Sequence, residues 1–191
     1  MSEAGRTTRV PRPYVGAAER APRGVVGGQH CAELVGEEAV LFVIGMRVNR
    51  WRKVRSWFPV FVAMPRMLRA LERESDSPLL FVRTFWSGRV FLTLQYWRSL
   101  EELGAYARDG SRPHAPAWAR FNRMAAAGAD VGIFHETYRV TADAVESLYG
   151  NMPAFGLAAA QRLVPRGKHG RRATPQRMGQ QEPEPVEAYP A

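Results

Sequence analysis

The sequence predicts an α+β fold in which a four-stranded antiparallel sheet carries helices on one face. Two observations lead to this class. Short apolar runs rich in β-branched and aromatic residues alternate with longer segments whose apolar residues recur at helical spacing. The resulting order of strand, helix, two strands, helix and strand is the ferredoxin-like split βαβ arrangement.

The first strand and the first helix have clear local signals. Residues 39–49 (AVLFVIGMRVN) are short, apolar and β-branched, which is typical of a buried strand. Residues 52–74 carry apolar side chains at helical spacing, and Ser56 is a candidate N-cap. Pro65 lies inside this segment and is expected to kink or interrupt the helix, because proline has no backbone N–H to donate.

The second half of the order begins with a β-hairpin. Residues 79–86 and 89–97 form two strand patterns separated by Ser87-Gly88, which is the spacing of a tight turn. The remaining predicted elements are a helix that runs from a capping box at Ser99-Leu-Glu-Glu102 to Arg108, a helix over 114–127, a strand over 131–140 and a short helix over 155–163.

The composition divides the chain into a domain and two tails. Residues 1–36 and 165–191 are rich in Gly, Pro, Ala and Arg and show no apolar periodicity, so both are predicted to be disordered tails. The folded domain is predicted to span residues 37–164. No stretch at the N-terminus has the apolar core of a secretory signal, and no apolar run approaches the roughly 20 residues of a membrane span, so a cytoplasmic location is expected.

The 191-residue chain is basic, with 27 Lys and Arg against 18 Asp and Glu. A basic cluster near Trp51 could contact nucleic acid or an anionic membrane, but no nucleic-acid-binding motif accompanies it, and a solvated charge run is the expected outcome. The single cysteine, Cys31, excludes an internal disulfide and a cysteine-cluster metal site. Neither a metal site nor a nucleic-acid partner is therefore predicted.

The first predicted strand is apolar on both faces. Leu41 and Val43 lie on one face, whereas Phe42 and Ile44 lie on the other. Helices can cover only one of these faces. We therefore expect a homodimer in which the sheets of two copies face each other across a cavity.

Five stretches spread over residues 39–164 resemble a known family. They are FVIGMRVNRW, LQYWRSLEELGAYARD, HAPAWARFNR, VGIFHETYRV and YGNMPAFGLAAA, in this order. They are similar to a monooxygenase-like family, labelled a domain of unknown function in many members, of the dimeric α+β barrel superfamily, which also holds the antibiotic-biosynthesis monooxygenases. The resemblance implies a small cavity between sheet and helices, and oxygenation of an electron-rich organic substrate without a bound cofactor. The superfamily also includes haem enzymes and non-catalytic stress proteins.

Candidate catalytic residues lie on the helix predicted over 114–127. His114, Trp118 and Asn122 are spaced by four residues and therefore share one helical stripe. If this stripe faces the cavity, His114 is the candidate base that forms a substrate carbanion, while the indole and amide N–H groups orient substrate and oxygen. Alternatively, Trp118 is an ordinary core residue, His114 a residue of the helix N-terminus and Asn122 a solvated side chain.

A second group of candidates lies on the strand over 131–140. His135 is a candidate for orienting substrate and oxygen, and Glu136 and Tyr138 are candidates for substrate binding. Adjacent residues of a strand point to opposite faces, so His135 and Glu136 cannot line one pocket without a bulge. The alternative is a structural pairing of His135 or Glu136 with an arginine or across the dimer.

A third group consists of Arg47, Thr93 and Gln95, which are predicted to share one sheet face and form a cavity wall with a few polar groups. Arg47 would bind an anionic group of the substrate through charge-assisted hydrogen bonds, and Gln95 would contact the substrate as well. A salt bridge at the dimer interface is the alternative for Arg47.

These candidates support two functions. The first is a cofactor-independent monooxygenase that oxidises a small aromatic or polyene-like substrate. The second is a non-catalytic barrel that binds a small hydrophobic ligand, or haem with His114 or His135 as the axial ligand. A purely structural dimer module, with tails that bind partners, is a third alternative.

Overall fold

The computed structural model describes residues 21–110 and 128–166. Within these ranges the elements, in chain order, are β1 (Val26–Glu33), β2 (Glu38–Val48), α1 (Val54–Glu72), β3 (Leu79–Ser87), β4 (Val90–Trp97), α2 (Leu100–Arg108), β5 (Val131–Thr141), β6 (Tyr149–Met152), α3 (Leu157–Ala160) and β7 (Arg162–Pro165). The helix predicted over 114–127 lies outside the described residues.

The central sheet has four antiparallel strands in the order β3-β4-β2-β5. This order, with α1 between β2 and β3 and α2 after β4, is the ferredoxin-like arrangement that the sequence predicts. The N-cap half of the predicted capping box is confirmed, because the backbone N–H of Glu102 donates to the Ser99 hydroxyl at 3.2 Å, which stabilises the first turn of α2. The Glu102 carboxylate instead accepts a hydrogen bond from Arg98 at 3.1 Å. The fold class is therefore α+β.

A second, three-stranded sheet in the order β6-β1-β7 differs from the prediction. Residues 26–33 form β1 instead of belonging to an irregular tail, and Glu33 of this strand pairs with Arg162 at 2.7 Å. The predicted helix over 155–163 is limited to α3, and β7 follows it directly. β1 contains two glycines and no apolar alternation. Its formation therefore depends on pairing with strands that are distant in the sequence, and a local pattern does not predict such pairing.

Helix α1 passes through both of its prolines, Pro59 and Pro65. Of the kink or interruption predicted at Pro65, the interruption is wrong, since the helix extends from Val54 to Glu72. Each proline removes one backbone hydrogen bond from the helix interior. Packing against the sheet replaces this loss: Leu71 of α1 is buried with Val40 and Trp97 of the sheet.

The two faces of the central sheet have different environments. The helix-side face, which carries Phe42, Ile44 and Met46 on β2, is the face on which α1 and α2 pack. The far face carries Leu41 and Val43 on β2, and Phe155, from the segment before α3, packs on part of it.

No helix within the described part of the chain has the length and apolarity needed to cross a membrane.

Candidate functional site

A cavity of about 560 Å³ lies between the helix-side face of the central sheet and the helices α1 and α2. Its lining is largely aliphatic and aromatic, with Met64 and Leu68 from α1 and Phe91 from β4 among its members. The volume lies within the range of small-molecule pockets, which are mostly apolar with a few oriented polar groups. The cavity is the candidate functional site.

The polar groups that the central sheet contributes to this cavity lie in two neighbouring rows that cross it, and Tyr106 of α2 also lines the cavity. The register of the strands sets these rows, which are Thr84, Thr93, Ile44 and His135 in one, and Val82, Gln95, Phe42 and Thr137 in the other. The next row toward the β3–β4 turn is apolar and runs from Trp86 to Ile133. Polar side chains are thus confined to the middle of an otherwise apolar wall.

Gln95 is the centre of a buried polar network on β4. It is 3% exposed, and alternation along the strand places Thr93 and Trp97 on the same face. The Trp97 indole N–H donates to Gln95 Oε1 at 3.0 Å, and Gln95 Nε2 donates to Thr93 Oγ1 at 2.9 Å. Because the indole is a donor only, it fixes the amide with its oxygen toward Trp97 and its NH₂ group toward Thr93.

One hydrogen of the Gln95 NH₂ group has a weak partner. Its neighbour besides Thr93 is the Met64 sulfur, at 3.9 Å, and a thioether is a poor acceptor. A ligand oxygen that enters the cavity would be a better acceptor than this sulfur. The network therefore presents an oriented amide donor to the cavity, in the manner of an oxyanion-stabilising group.

His135 lies on β5, the edge strand of the central sheet, and its side chain lines the cavity. Its ring contacts the Phe42 ring with a centroid separation of 5.7 Å. The His135 side chain is exposed, so protons can exchange between the imidazole and solvent. A histidine in this position can act as a general base or acid toward a molecule in the cavity.

The separation of His135 from Gln95 and Thr93 follows from the strand order. β5 and β4 flank β2, so the two strands are about 10 Å apart at the usual strand spacing. Such a distance accommodates a ring system between the imidazole and the amide, each of which extends into the cavity. The arrangement therefore separates an imidazole from an amide donor by about the length of such a ring system.

Arg47 does not take the predicted position. It lies on the far face, opposite Val90 and Gly132, and its exposed guanidinium hydrogen-bonds to the Asn49 side chain. The prediction that Arg47 shares a face with Thr93 and Gln95 is wrong, because the strand alternation turns it away from Ile44 and Met46. The described lining of the cavity contains no Lys, Arg, Asp or Glu side chain.

Glu136 and Tyr138 also lie on the far face and do not reach the cavity lined by His135. β5 has no bulge here, so the prediction that His135 and Glu136 point to opposite faces of the sheet is confirmed. The Tyr138 hydroxyl donates to Glu136 Oε2 at 2.5 Å. This hydrogen bond raises the pKa of the Tyr138 phenol, because loss of the proton would break the bond and place two negative charges together.

Three predicted catalytic residues, His114, Trp118 and Asn122, lie outside the described residues. Within the described ranges, no three His, Cys, Asp or Glu side chains group as a metal site. The sequence prediction overlooked Trp97 and Met64 as partners of Gln95. The spacing of two residues between Gln95 and Trp97 could have indicated the first contact, whereas the Met64 contact depends on how α1 packs on the sheet.

The family model described as Monooxygenase af470-like matches residues 39–157. None of the curated proteins compared with this chain matches it. Among solved structures, the chain is similar to SnoaB, a cofactor-independent oxygenase from Streptomyces nogalater, with 10% identity and a TM-score of 0.37 over 53% of this chain and 91% of that chain.

Two further solved structures are similar to the chain. A putative antibiotic biosynthesis monooxygenase from Caulobacter crescentus shares 16% identity with a TM-score of 0.36, over 52% of this chain and 90% of that chain. An aldoxime dehydratase in complex with butyraldoxime shares 13% identity with a TM-score of 0.43, over 82% of this chain and 45% of that chain. The match to the family model covers more than half of the chain and includes the central sheet except for Glu38. The chain therefore belongs to the Monooxygenase af470-like family.

Proposed function

We propose that the protein is a cofactor-independent monooxygenase that oxidises a small, neutral aromatic or polyene-like substrate. One observation carries the proposal: an apolar cavity of about 560 Å³ holds an imidazole, from His135, and an oriented amide donor, from Gln95, on the same wall. The membership of a monooxygenase family supports the type of reaction.

The substrate class follows from the cavity lining. A charged group would lose its hydration in this cavity without finding an ionic partner, since the described lining has no charged side chain. A neutral polycyclic molecule would instead bury its apolar surface against Phe61 and Phe91. A ring carbonyl at one end would accept a hydrogen bond from Gln95.

The first chemical step is a proton transfer. In the keto tautomer of a polycyclic phenol, a ring CH₂ group lies opposite a ring carbonyl, and its proton is acidic because the carbanion shares its charge with that carbonyl. His135 removes this proton, and the negative charge moves to the carbonyl oxygen. The Gln95 amide stabilises the oxyanion there, where the surrounding apolar lining strengthens the interaction.

The carbanion is then oxidised by dioxygen. One electron passes to dioxygen, and the resulting superoxide and substrate radical combine to form a C–O bond. The protonated His135 returns its proton to the peroxide. Loss of the second C–H proton with cleavage of the O–O bond leaves a new carbonyl on the substrate and releases water. Each turnover converts one CH₂ group and one dioxygen molecule into one carbonyl group and one water molecule, so no external reductant is needed.

We propose that His114, Trp118 and Asn122 complete this site. Their spacing of four residues places them on one stripe of the helix predicted over 114–127. In the chain, this helix would lie between α2 and β5. His114 would then share the role of base with His135. The indole and amide N–H groups would hold the dioxygen or the peroxide.

We also propose a homodimer formed through the far face of the sheet. Phe134 and Tyr138 of β5 remain exposed on this face, next to Leu41 and Val43 of β2. Phe155 packs against Phe81 at a centroid distance of 5.4 Å and so covers the part of the face near β3. A second copy would cover the apolar area near β2 and β5.

Haem binding is the second candidate function, and His135 is the feature that favours it, because an imidazole in an apolar cavity can serve as an axial ligand. The two haem propionates would need cationic partners, however, and the described lining contains none. The residues present thus fit a neutral organic substrate better than haem. An absorption spectrum of protein purified after haem supplementation tests this alternative through the Soret band.

The experiment that tests the proposed reaction is oxygen uptake by the purified full chain. The substrates are a panel of polycyclic phenols with an accessible keto tautomer and of conjugated polyenes. We expect uptake with at least one of them, and we expect His135→Asn to lower kcat by about a hundredfold or more. The matched control is His30→Asn, which changes the same side chain on β1, outside the cavity lining.

The two histidine variants separate the role of His135 from general effects of histidine substitution. The proposal requires that His30→Asn keeps the wild-type rate and that His114→Ala lowers it. Equal rates for His135→Asn and wild type would refute the assignment of His135. No uptake with any substrate, combined with a Soret band that His135→Asn abolishes, would favour haem binding instead.

A further inference from the structure

One end of the molecule combines exposed aromatic side chains with basic ones. It is formed by residues 47–58, 86–91 and 128–132, which we call the aromatic–basic end. Trp86 is 71% exposed at the β3–β4 turn, and Phe58 is 50% exposed in the first turns of α1. Exposed aromatic groups of this size are uncommon on a surface that faces only water.

The aromatic side chains of this end form a continuous cluster. Trp86 stacks on Phe91 with a centroid distance of 5.9 Å, and Phe91 contacts Phe61 at 5.0 Å. Trp57 lies 6.2 Å from Phe61 and 6.0 Å from Phe58. Phe61 and Phe91 are also part of the cavity lining. The cluster therefore connects the exposed tip of the molecule with the cavity.

The charges around this cluster are almost all positive. The three segments contain six basic residues, namely Arg47, Arg50, Arg52, Lys53, Arg55 and Arg89, and all six are exposed. Their one acidic residue, Asp130, is neutralised by Arg50 at 2.9 Å. The aromatic–basic end thus offers apolar groups that avoid water and a net positive charge that attracts anions.

We propose that the aromatic–basic end docks on the surface of an anionic lipid bilayer. Trp51, Phe58 and Trp86 would enter the headgroup region, where tryptophan and phenylalanine are favoured, while the basic residues would contact acidic headgroups. A second copy of the chain does not fit this end, since it would bring two positive surfaces together. The docking is independent of oxygenation and would let a lipophilic molecule pass between the bilayer and the cavity.

A lipid surface fits this end better than a nucleic acid does. Val54 is half exposed and lies beside Phe58 in the first turn of α1, and an aliphatic side chain gains nothing from phosphates or base edges. The same side chain gains free energy from insertion among acyl chains. No nucleic-acid-binding motif occurs in these three segments.

The test is co-sedimentation of the full chain with vesicles of phosphatidylcholine alone and of phosphatidylcholine mixed with phosphatidylglycerol. We expect binding to the mixed vesicles, weak binding to the neutral ones, and loss of binding at high salt because the attraction is screened. Reversing two charges, with Arg52→Glu and Lys53→Glu combined, should weaken partitioning more than about tenfold. Replacing both exposed aromatics, with Phe58→Ser and Trp86→Ser combined, should weaken it as well.

Two controls change an exposed basic residue and an exposed apolar residue elsewhere. Arg73→Glu reverses an exposed charge at the C-terminal end of α1, and Leu148→Ser removes an exposed apolar group outside the aromatic–basic end. Both should bind mixed vesicles as wild type does. The inference is overturned if the wild-type protein does not bind mixed vesicles, or if the controls lose binding as the test variants do. It is also overturned if the chain binds a mixed-sequence oligonucleotide in preference to the vesicles.

Discussion

At the scale of single residues, the proposed function gives Gln95 the role of hydrogen-bond donor to a substrate oxygen. Its amide is held between Trp97 and Thr93, both of which are almost completely buried. A buried amide in an apolar environment destabilises the fold unless each of its polar atoms has a hydrogen-bond partner. Because the Met64 sulfur is a weak acceptor, one Gln95 N–H remains available to an oxygen atom in the cavity.

Gln95→Glu tests this role. The variant keeps an oxygen that can accept from Trp97 but places a carboxylate where the N–H donor was, so an oxyanion is no longer stabilised. We expect kcat to fall by about 10²–10³, the effect of removing one oxyanion donor, with a smaller change in KM. The control is Met64→Leu, which removes only the sulfur acceptor and should keep the wild-type rate. Equal losses in kcat for both variants would contradict the assigned role.

Asp130 is the second residue with a defined consequence. Its carboxylate accepts hydrogen bonds from Ser56 at 3.0 Å and from Arg50 at 2.9 Å, and these contacts connect α1 and the loop after β2 to the start of β5. The Ser56 bond, followed by the Arg50 bond, lowers the pKa of the carboxyl below its ordinary value. Because the native state binds this proton less readily than the unfolded chain, the carboxylate stabilises the fold at neutral pH.

This stabilisation should disappear as the pH falls. It is fully present above the unfolded-state pKa of about 3.9 and is lost as the pH falls through the lower pKa of the folded state. We expect the Tm of wild type to decrease more steeply between about pH 5 and about pH 2 than that of Asp130→Asn, which lacks the titrating group. Thermal unfolding followed by circular dichroism measures both curves. Parallel curves would show that Asp130 does not contribute.

At the scale of elements, the strands with strong local patterns were predictable and those without them were not. β2 carries apolar residues on both faces along most of its length, and α2 begins directly after its N-cap Ser99, so both were predicted within a residue or two. β1 and β7 pair over residues far apart in the chain, and neither has an alternating pattern of its own. Their pairing is a property of the tertiary structure, which a local pattern does not contain.

The same distinction applies to the candidate site. Alternation along β5 correctly separated His135 from Glu136, because one local rule decides the face of a strand. Arg47 was placed on the same face as Thr93 and Gln95 because two strands, β2 and β4, had to be combined without their register. The contact between Gln95 and Met64 requires the packing of α1 on the sheet, which only the tertiary structure provides.

Helix α1 carries a prediction on stability. Pro65 lies well inside this helix, where it costs about 3 kcal/mol relative to alanine, and the unfolded chain gains about 1 kcal/mol of entropy when the proline is removed. Pro65→Ala should therefore raise the free energy of unfolding by about 2 kcal/mol. Equilibrium unfolding in urea measures the free energy of unfolding of both proteins. Pro78→Ala, before β3 and outside any helix, should give no such gain. A lower stability for Pro65→Ala would show that the proline is required for the packing of α1.

At the scale of the whole molecule, the described residues leave part of the far face of the central sheet uncovered. The Phe134 ring lies over Gly45, where a Cβ atom would meet it at 2.6 Å, so the close contact of the ring with β2 depends on glycine at position 45. Together with Tyr138 it presents an exposed aromatic surface on β5. Such a surface is suited to contact with the same surface of a second copy.

The proposed homodimer predicts a molar mass of twice that of one chain in light scattering coupled to size exclusion. Phe134→Arg should shift the protein to the monomer, since two buried arginines would then oppose each other at the interface. Leu148→Arg introduces the same charge at an exposed apolar residue outside the far face and should leave the dimer intact. A monomeric wild type, or a dimer unaffected by Phe134→Arg, would contradict this interface.

The central claim is that the cavity inserts one atom of dioxygen into a neutral organic substrate without an external reductant. Turnover of the best substrate under isotope-labelled dioxygen, in the presence of a chelator and with no added cofactor, tests it directly. Mass spectrometry of the product should show one labelled oxygen atom in the new carbonyl, with labelled water as the second product. A product that carries oxygen from unlabelled water, or turnover that requires an added reductant, would contradict the proposed function.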